Sequence, residues 1–474
     1  MTRILTILFL AVTATAHAVE KPNIIIIFTD DQGYADVRVY GAPQIKTPNI
    51  DRLAKEGIRF TDFYVAAPVC TPSRAALLTG SYPHRLSMAR MPRGKRKGKG
   101  GMVLFPNSRG GIHSDEITIP EMLKEQDYAT GMVGRWHLGH LPPFLPTRHG
   151  FDSYFGIPYS NDMEPCPILR DEEVIEEPAD QTTLTERYTE ESLKFIRKNK
   201  DKPFFLYLAH SMPHIPLFVS PKFDGISEGG LYGDVIETID WGVGQILDEL
   251  DALDIADNTL VVFTSDNGPW LVFGDHGGNA FPLRAGKGTT YEGGMRVPGI
   301  MRWPAVIPAG TVTQEMASTM DLLPTIAAIT GAKVPDDRII DGHNILPLLK
   351  NEPGATSPYK AFYYYHGTEL HAVRSGDWKL RVSLPLRHED IYRRFENPDT
   401  MLEEALYHLP TDPGEQKNLL PRNERHDERL TDERRAIIAK LRKLLGDARA
   451  DLGDSIHDIP ATNIRPLGMT EPAQ

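Results

Sequence analysis

Short apolar runs alternate with amphipathic segments along the first half of the chain, and this alternation constrains the fold more than any other feature of the sequence. The run NIIIIF at 23–28 is rich in β-branched residues, which is typical of a strand buried on both faces of a parallel sheet. The segment after Thr47 begins with Pro48 and ends at Gly57, which predicts a helix. By the same criteria, helices are predicted at 120–126, 186–199 and 235–253, and strands at 129–134, 203–209 and 259–263.

Strands that alternate with helices predict an α/β fold, in which helices sandwich a large and mostly parallel central sheet. Sheets of this kind carry their functional residues at the carboxyl ends of the strands. The segment 350–360 is rich in turn residues, and two extended segments and a charged helical run from Glu424 to Leu445 follow it. We therefore predict a large domain over residues 19–358 and a smaller C-terminal subdomain over residues 359–474, built from an antiparallel sheet and a helix.

Residues 1–18 have the layout of a secretory signal peptide. Arg3 precedes an apolar run from Ile4 to Val12, and the small residues Ala16 and Ala18 favour cleavage after Ala18. An N-terminal membrane anchor is the alternative, but the apolar run is shorter than the roughly 20 residues that span a bilayer. We expect an exported protein, periplasmic or secreted, with no membrane span.

Charge and cysteine content argue against two classes of protein. With 64 acidic and 52 basic residues, the net charge of −12 gives no overall attraction to nucleic acid, so no nucleic-acid partner is expected. Cys70 and Cys166 are the only cysteines, so the fold is not held by a disulfide framework. A single bridge between them is one interpretation, and a packing role for Cys166 is the other.

Oxygen-bearing side chains follow two of the predicted strands. Asp30 and Asp31 come after the first strand, and Asp266 and Asn267 come after the last. Three carboxylates and one amide suit Ca²⁺ or Mg²⁺ rather than zinc, and carboxylates crowded together need a cation. Taken singly, each pair would more often be a turn or a helix cap. The occurrence of two such strand ends favours a metal site.

The segment from Cys70 to Gly80 predicts a helix with Pro72 in its first turn and Gly80 as its stop. Cys70 is then expected just before a helix N-terminus, where free N–H groups and the helix dipole stabilise an anion or an activated nucleophile. Arg74, one turn further on, can direct its guanidinium at the same anion. An unmodified cysteine of lowered pKa and a buried structural cysteine are both open interpretations.

The motif C-x-P-S-R, which starts at Cys70, resembles the signature of the formylglycine-dependent sulfatases. Further segments appear in that family's order: MVGRWHLG at 132–139, the two strand ends with oxygen ligands, and GKGTTYEGG at 286–294. The segment LRAGKGTTYEGGMRVP at 283–298 closely resembles the arylsulfatase A-like branch of the family. The segment LYHLPTDPGEQKNLL at 406–420 is similar to the family's C-terminal segment. The resemblance covers nearly the whole mature chain, and it implies the fold of the alkaline phosphatase superfamily.

In that family a separate maturation enzyme oxidises the motif cysteine to formylglycine, so the resemblance implies this partner and this modification at Cys70. It also implies a calcium ion, in preference to Mg²⁺, held by Asp30, Asp31, Asp266, Asn267 and the group at position 70. One hydroxyl of the hydrated aldehyde would attack the sulfur of a sulfate ester. The implied activity is hydrolysis to an alcohol and inorganic sulfate, with residues 19–358 as the catalytic domain.

The resemblance also assigns roles to the remaining candidates. Arg74, Arg135 and Lys287 would hold the sulfate oxygens. His214 would protonate the departing alcohol, and His137 would take a proton from the second hydroxyl and so re-form the aldehyde. These five residues, together with Cys70, are the predicted catalytic and substrate-binding groups.

Three of these assignments have alternatives. Arg135 stands where the family usually has Lys, and because Arg cannot release its proton near neutral pH, we expect sulfate binding from it rather than proton donation. A surface arginine is the alternative for Arg135, and a solvated loop lysine is the alternative for Lys287. His210 is a weaker candidate than His214, which matches the family's substrate-side histidine better.

The expected substrate is a sulfated carbohydrate, small or polymeric, with aryl sulfates as surrogates. Hydrolysis of a phosphate monoester or diester on the same scaffold is one alternative, and a catalytically silent protein that binds sulfated glycans is another. The basic run from Arg90 to Lys99 is expected to be a solvated loop, although it would also suit contact with a sulfated polysaccharide.

Overall fold

The computed structural model of the protein describes residues 21–92, 100–385, 401–420 and 431–470. The predicted signal peptide at 1–18 and residues 93–99 of the basic run lie outside the described residues. Helices of the described part are α1 (Pro48–Lys55), α2 (Cys70–Thr79), α3 (Ile119–Lys124), α4 (Leu184–Asn199), α5 (Gly230–Ala252), α6 (Glu292–Met295), α7 (Leu322–Thr330), α8 (Leu346–Leu349) and α9 (Asp432–Leu452).

The strands of the main sheet are β1 (Asn23–Thr29), β2 (Ile58–Tyr64), β4 (Ala129–Gly134), β5 (Ser153–Gly156), β6 (Ile168–Arg170), β7 (Glu173–Glu176), β8 (Phe204–Ala209), β9 (Thr259–Ser265), β10 (Arg296–Arg302), β11 (Thr311–Thr313) and β12 (Ala317–Ser318). The remaining strands are β3 (Gly110–Gly111), β13 (Phe362–His366), β14 (Glu369–Ser375), β15 (Trp378–Arg381), β16 (Leu384–Pro385), β17 (Met401–Leu402), β18 (Ala405–His408) and β19 (Gly468–Met469).

The main sheet runs in the order β11-β2-β10-β9-β1-β8-β4-β5-β6-β7, with β12 added beside β2. Its centre is parallel, because β1 pairs in parallel with both β8 and β9, and β4 pairs in parallel with β8 and β5. Strand β10 joins this centre in the antiparallel sense, as do the hairpin strands β6 and β7 at the far edge. The predicted α/β class with a mostly parallel central sheet is confirmed.

Strand β1 explains why its sequence is apolar at every position. Ile24, Ile26 and Phe28 pack into one core cluster with α2 and α7, and Ile25 and Ile27 pack into a second with α1 and α5. Successive side chains of a strand point to opposite faces, so a strand covered on both faces needs a continuous apolar run. The helices therefore sandwich the sheet as predicted.

The C-terminal part contains the predicted antiparallel sheet, ordered β13-β14-β15-β18, and the helix α9. Leu370 of β14 and Leu441 of α9 belong to the same core cluster as α2, so the small sheet packs directly on the large domain. The proposed boundary near Pro358 stays a prediction.

Helix α9 ends later than the sequence predicted. It continues past Gly446 to Leu452, because Ala448 and Leu452 are buried in the core and hold the last turns in place. The beginning of the predicted helical run, residues 424–430, lies outside the described residues. In the described part of the chain, we find no helix with the length and apolar character needed to cross a membrane.

Candidate active site

The candidate site lies at the carboxyl ends of β1 and β9, as expected for a parallel sheet. Thr29 and Ser265 are register partners at the ends of these strands, so the residues that follow them are neighbours. The backbone N–H of Asp266 donates to the carbonyl of Thr29 at 3.0 Å, and the N–H of Asp31 donates to Oδ1 of Asp266 at 3.1 Å. The sheet therefore brings together both predicted oxygen-ligand pairs.

We call the group of buried side chains gathered here the site cluster. It consists of Asp30, Asp31, Cys70, Arg74, Arg135, His137, His214, Asp266, Asn267 and Lys287. Two of its members, Asp31 (φ 63°) and His137 (φ 61°), adopt left-handed backbone conformations. Such conformations cost free energy in a non-glycine residue and are concentrated at functional sites.

Cys70 is the first residue of α2, one position further into the helix than predicted, with Val69 as the N-cap. Its Sγ lies 3.7 Å from Oδ1 of Asp30, and the side chain is 1% exposed. Burial raises the pKa of the Cys70 thiol, so the interpretation of Cys70 as a thiolate of lowered pKa is wrong. Cys70 and Cys166 are both free, so the proposed bridge between them is wrong as well.

Arg74, one turn along α2, is fully buried and holds two carboxylates together. Its Nη2 donates to Oδ2 of Asp30 and to Oδ2 of Asp266, both at 2.8 Å, and its Nε donates to Asp266 at 3.1 Å. Its Nη1 donates to the carbonyl of Arg135 at 3.0 Å. Arg74 thus links the two strand ends to the loop that follows β4.

Arg135 follows β4 and is buried, so the alternative of a surface arginine is wrong. Its guanidinium pairs with Asp30, and its Nη2 lies 2.7 Å from Nδ1 of His137. His137 Nε2 lies 2.8 Å from the carbonyl of Leu104, which can only accept. The proton of neutral His137 is therefore on Nε2, and Nδ1 accepts from Arg135.

Burial lowers the pKa of both Arg135 and His137, but it leaves one of them charged and the other neutral. It lowers the pKa of Arg135 to about 10, which leaves Arg135 a cation at neutral pH. Burial, reinforced by the charge of Arg135, lowers the pKa of His137 well below its ordinary value, so His137 is neutral.

Lys287 is 6% exposed and contacts Asp31, so the alternative of a solvated lysine is wrong. Its Nζ lies 2.7 Å from Oδ1 of Asp31 and 2.8 Å from Oδ2. Burial lowers the pKa of Lys287, but the charge of Asp31 outweighs it, and the pKa lies above its ordinary value. Lys287 is therefore a fixed cation.

His214 lies in the loop after β8, with Nδ1 2.6 Å from the carbonyl of Ile215 and Nε2 3.6 Å from Oδ2 of Asp31. The Ile215 carbonyl fixes the proton on Nδ1, and so the bare Nε2 faces the site cluster. Burial lowers the pKa of His214 well below its ordinary value. His210 is also buried, but its ring packs against Tyr188, and neither of its ring nitrogens has a hydrogen-bond partner among the described residues.

The site cluster brings together donor atoms that could hold a divalent cation. One donor atom each of Asp30, Asp31, Cys70 and His214 lie within 4.8 Å of one another. Asn267 donates its Nδ2 to Asp31 at 2.7 Å, which leaves its Oδ1 buried with no hydrogen-bond partner among the described residues. Buried polar atoms are nearly always hydrogen-bonded, so an unpartnered carbonyl oxygen beside carboxylates fits a metal ligand.

Two further residues of this region carry no sequence signal that we recognised. Ser160 follows Pro158, whose carbonyl accepts from the His137 N–H, and its buried Oγ has no hydrogen-bond partner in the described part of the chain. Trp270 follows the second strand end, and its ring contacts both His214 and Lys287. Neither belongs to a motif, and only the folded loops bring Trp270 to the site and Ser160 to the segment that holds the His137 backbone.

Comparison with known proteins identifies relatives over almost the entire described chain. A family model described as Sulfatase matches residues 22–332, and one described as N-sulphoglucosamine sulphohydrolase, C-terminal, matches residues 285–444. Arylsulfatase A of Homo sapiens is 39% identical over 456 residues, which cover 87% of this chain and 86% of that protein. N-acetylgalactosamine-6-sulfatase of Canis lupus familiaris is 42% identical over 396 residues, 80% of this chain and 74% of that protein.

Solved structures agree with this assignment. The crystal structure of Ps i-CgsB matches with a TM-score of 0.74 and 32% identity, over 90% of this chain and 92% of that one. The same protein in complex with k-i-k-neocarrahexaose matches with a TM-score of 0.73.

Proposed function

Because the chain belongs to the sulfatase family and is a sulfuric ester hydrolase, we propose that it hydrolyses a sulfated carbohydrate and that Cys70 acts after oxidation to formylglycine. The observation that carries the proposal is the place of Cys70. It begins a helix at the carboxyl edge of the sheet and is enclosed by the carboxylates and cations of the site cluster. An unmodified thiol in this place is a poor nucleophile, because burial raises its pKa.

Asp30, Asp31, Asp266, Asn267 and the group at position 70 would hold the divalent cation, which we propose is Ca²⁺. When bound, the cation favours the ionised form of the attacking hydroxyl and opposes charge on the sulfate. The unpartnered Oδ1 of Asn267 supports this assignment.

Charge balance explains why the cluster contains three cations beside the metal ligands. Arg74, Arg135 and Lys287 already balance the three carboxylates by direct contact. A divalent cation then makes the cluster net positive, which suits an anionic sulfate ester.

Proton transfer falls to the two histidines. Nε2 of His214 faces the site cluster, and the negative charge of a bound sulfate ester and its leaving oxygen would raise the pKa of His214, so that it can carry a proton to the alcohol. His137 is the proposed acceptor of the proton from the second hydroxyl. Its Nδ1 lone pair accepts from Arg135 in the structure, so this role requires Arg135 to leave Nδ1 when it binds the sulfate. Arg135 keeps its charge and binds sulfate.

The substrate class is supported by the names of the relatives. N-acetylgalactosamine-6-sulfatase is named for a sulfated sugar, and Ps i-CgsB has been crystallised with an oligosaccharide. We extend this class to the present chain. Export follows from the signal-like segment at 1–18, and a formylglycine-generating enzyme is the required partner for maturation.

The first test is the intact mass of the residue 70 peptide from protein made in its native host, combined with sulfate release from a panel of sulfated sugars. We expect an aldehyde or its hydrate at position 70, and loss of sulfate release by about 10⁴-fold or more in Cys70→Ala. Cys166→Ala is the matched control, because Cys166 is a buried free cysteine outside the site cluster, and it should retain activity.

Other outcomes separate the alternatives. An unmodified thiol in fully active protein would refute the formylglycine mechanism. Phosphate release from phosphate esters that exceeds sulfate release would favour phosphoester hydrolysis, and binding without turnover in fully modified protein would favour a silent glycan-binding protein. Removal of metal with a chelator should abolish turnover, and Ca²⁺ should restore it better than Mg²⁺.

A further inference from the structure

An aromatic corner, formed by Trp270 and Phe273, leads from the site cluster to the protein surface. Trp270 is half-buried and precedes the 3₁₀ turn Leu271–His276, which carries Phe273. The two rings meet edge to face, with centroids 4.8 Å apart and planes at 79°. Phe273 is 43% exposed, although a large aromatic side chain gains free energy from burial.

The inner side of the corner touches two residues of the site cluster. The centroid of the Trp270 indole lies 5.3 Å from that of the His214 ring and 4.1 Å from Nζ of Lys287. The backbone N–H of Lys287 donates to the carbonyl of Pro269 at 2.9 Å, which ties the two loops together beside the corner. The corner therefore has a fixed position relative to the site.

This position coincides with the place that the leaving alcohol must occupy. In the proposed reaction His214 delivers a proton to the departing oxygen, so the alcohol lies against His214. Trp270 packs on His214, and Phe273 continues the aromatic surface outward from there. The alcohol portion of the substrate would thus leave the site along the corner.

We propose that the aromatic corner is a binding subsite for the pyranose ring that carries the sulfate ester. The inference rests on the proposed function and specifies how the alcohol is held. One face of a pyranose presents C–H groups that stack on an aromatic ring, while its rim presents hydroxyls. Asp275 and His276 are exposed on the same turn as Phe273 and offer hydrogen-bonding groups for those hydroxyls. A flat aryl group has no hydroxyl rim to use them.

A purely structural role for Trp270 is the competing explanation, since its ring also holds the Lys287 ammonium by a cation–π contact. Loss of that contact would weaken the binding of every sulfate compound. Phe273 separates the two explanations, because its ring packs against Trp270, whereas the ring that contacts Lys287 and His214 is that of Trp270. Phe281 is a matched control on the same loop, being 73% exposed and outside the Trp270–Phe273 pair.

The experiment is equilibrium binding by calorimetry in the presence of Ca²⁺, with full-length Cys70→Ala protein as the background so that no turnover occurs. The two probes are N-acetylgalactosamine 6-sulfate and inorganic sulfate. We expect the sugar sulfate to bind more tightly than inorganic sulfate. Phe273→Ala should weaken the binding of the sugar sulfate by about fivefold and leave the binding of inorganic sulfate unchanged, because it removes aromatic surface that only the sugar would contact.

Trp270→Phe keeps an aromatic ring, so we expect it to bind the sugar sulfate more tightly than Phe273→Ala does. Phe281→Ala should leave the affinity for both probes unchanged. The proposal is overturned if the sugar sulfate binds no more tightly than inorganic sulfate, if Phe273→Ala weakens both probes equally, or if Phe281→Ala has the same effect as Phe273→Ala. Since these measurements need no catalysis, failure of the sulfatase assignment would be recognised separately, as absence of sulfate release from the unsubstituted protein.

Discussion

Lys287 and Lys379 are two buried lysines in different surroundings. Lys287 belongs to the site cluster and contacts the single carboxylate of Asp31. Lys379, on β15, is fully buried between the carboxylates of Glu292 and Glu415, at 3.0 Å and 2.9 Å, and also donates to the carbonyl of Thr290 at 2.9 Å. We call Lys379, Glu292 and Glu415, with the tyrosines that contact them, the tether cluster, because it joins the small sheet to the loop that carries Lys287.

The two clusters differ in how completely their polar atoms are paired. Glu292 accepts from Tyr64 at 2.5 Å, from Tyr364 at 2.9 Å and from Lys379, and its own N–H donates to Glu415 at 2.6 Å. Oε1 of Glu415 has no hydrogen bond among the residues described, but it forms an ion pair with the Lys379 ammonium at 2.9 Å. In the site cluster, Oδ1 of Asn267 has no hydrogen-bond partner among those residues and, being uncharged, forms no ion pair. Burial and charge are common to both clusters, and incomplete pairing distinguishes the one that fits a ligand.

The pKa shifts of Asp31 in the site cluster and Glu292 in the tether cluster point in opposite directions. Burial raises the pKa of Asp31 above its ordinary value, and Lys287 offsets this only in part. Burial would also raise the pKa of Glu292, but Lys379, Arg296 and Arg374 outweigh it and lower that pKa. Burial raises the pKa of Glu415, the other carboxylate of the tether cluster, so the contrast is limited to the two residues. The protein's own cations stabilise the charge of Glu292, whereas Asp31 is a carboxylate that a further cation would stabilise.

The largest expected difference between the clusters is in the free energy of unfolding when Lys379 or Lys287 is replaced by Met. Lys379→Met removes the cation that the buried carboxylates of Glu292 and Glu415 share, so the free energy of unfolding should fall by about 3–5 kcal/mol. Urea unfolding followed by circular dichroism measures this loss. The exposed Lys350 is the matched control, and Lys350→Met should change the free energy by less than about 1 kcal/mol. Equal stability of Lys379→Met and the unsubstituted protein would contradict the structural role of the tether cluster.

Lys287→Met should affect catalysis rather than stability. Loss of one cation at the sulfate should lower kcat/KM by about 10²–10³-fold in an assay of sulfate release. The stability cost should be smaller than for Lys379→Met, because Asp31 already has a raised pKa and can take up a proton. If Lys287→Met unfolds as readily as Lys379→Met, the comparison between the clusters fails.

Arg135→Lys introduces the residue that the sulfatase family usually has at this position. The substitution tests whether the charge of Arg135 or the shape of its guanidinium matters for catalysis. A lysine keeps the cation but replaces the two-sided contact with Asp30 and His137 by a single ammonium. We expect kcat/KM to stay within about tenfold of its original value and the pH profile to gain a basic limb. Arg135→Met removes the charge and should cost about 100-fold or more. Equal activity of the Lys and Met variants would exclude a sulfate-binding role.

The smallest expected effect is the contribution of the tether cluster to the pH dependence of the free energy of unfolding. Because the folded-state pKa of Glu292 is lowered, its stabilising contribution is complete above the unfolded pKa of about 4.5 and is lost as pH falls below that value. The loss should be about 1.4 kcal/mol per pH unit in urea unfolding between pH 4.5 and pH 3. Glu292→Gln should have a shallower slope over the same range. An identical slope in both proteins would show that Glu292 does not carry this dependence.

Much of the fold was readable from local patterns. The apolar run of β1 predicts a strand covered on both faces, and the oxygen ligands after β1 and β9 predict where the strand ends meet. The antiparallel position of β10 beside β9 was not predicted, because pairing across the sheet depends on contacts far apart in sequence. Helix α9 was predicted too short, since Gly446 is a local stop signal that the burial of Leu452 overrides.

The sequence by itself determined the kind of chemistry, because residue types and their spacing specify a cysteine at a helix start, hard oxygen ligands and cations for an anion. Only the tertiary structure decided the states of these groups. The tautomer of His137, the raised pKa of Cys70 and the contact of Trp270 with His214 and Lys287 all arise from neighbours that are distant along the chain. Protonation and pairing depend on burial and on charges a few ångströms away, and those distances exist only once the chain has folded.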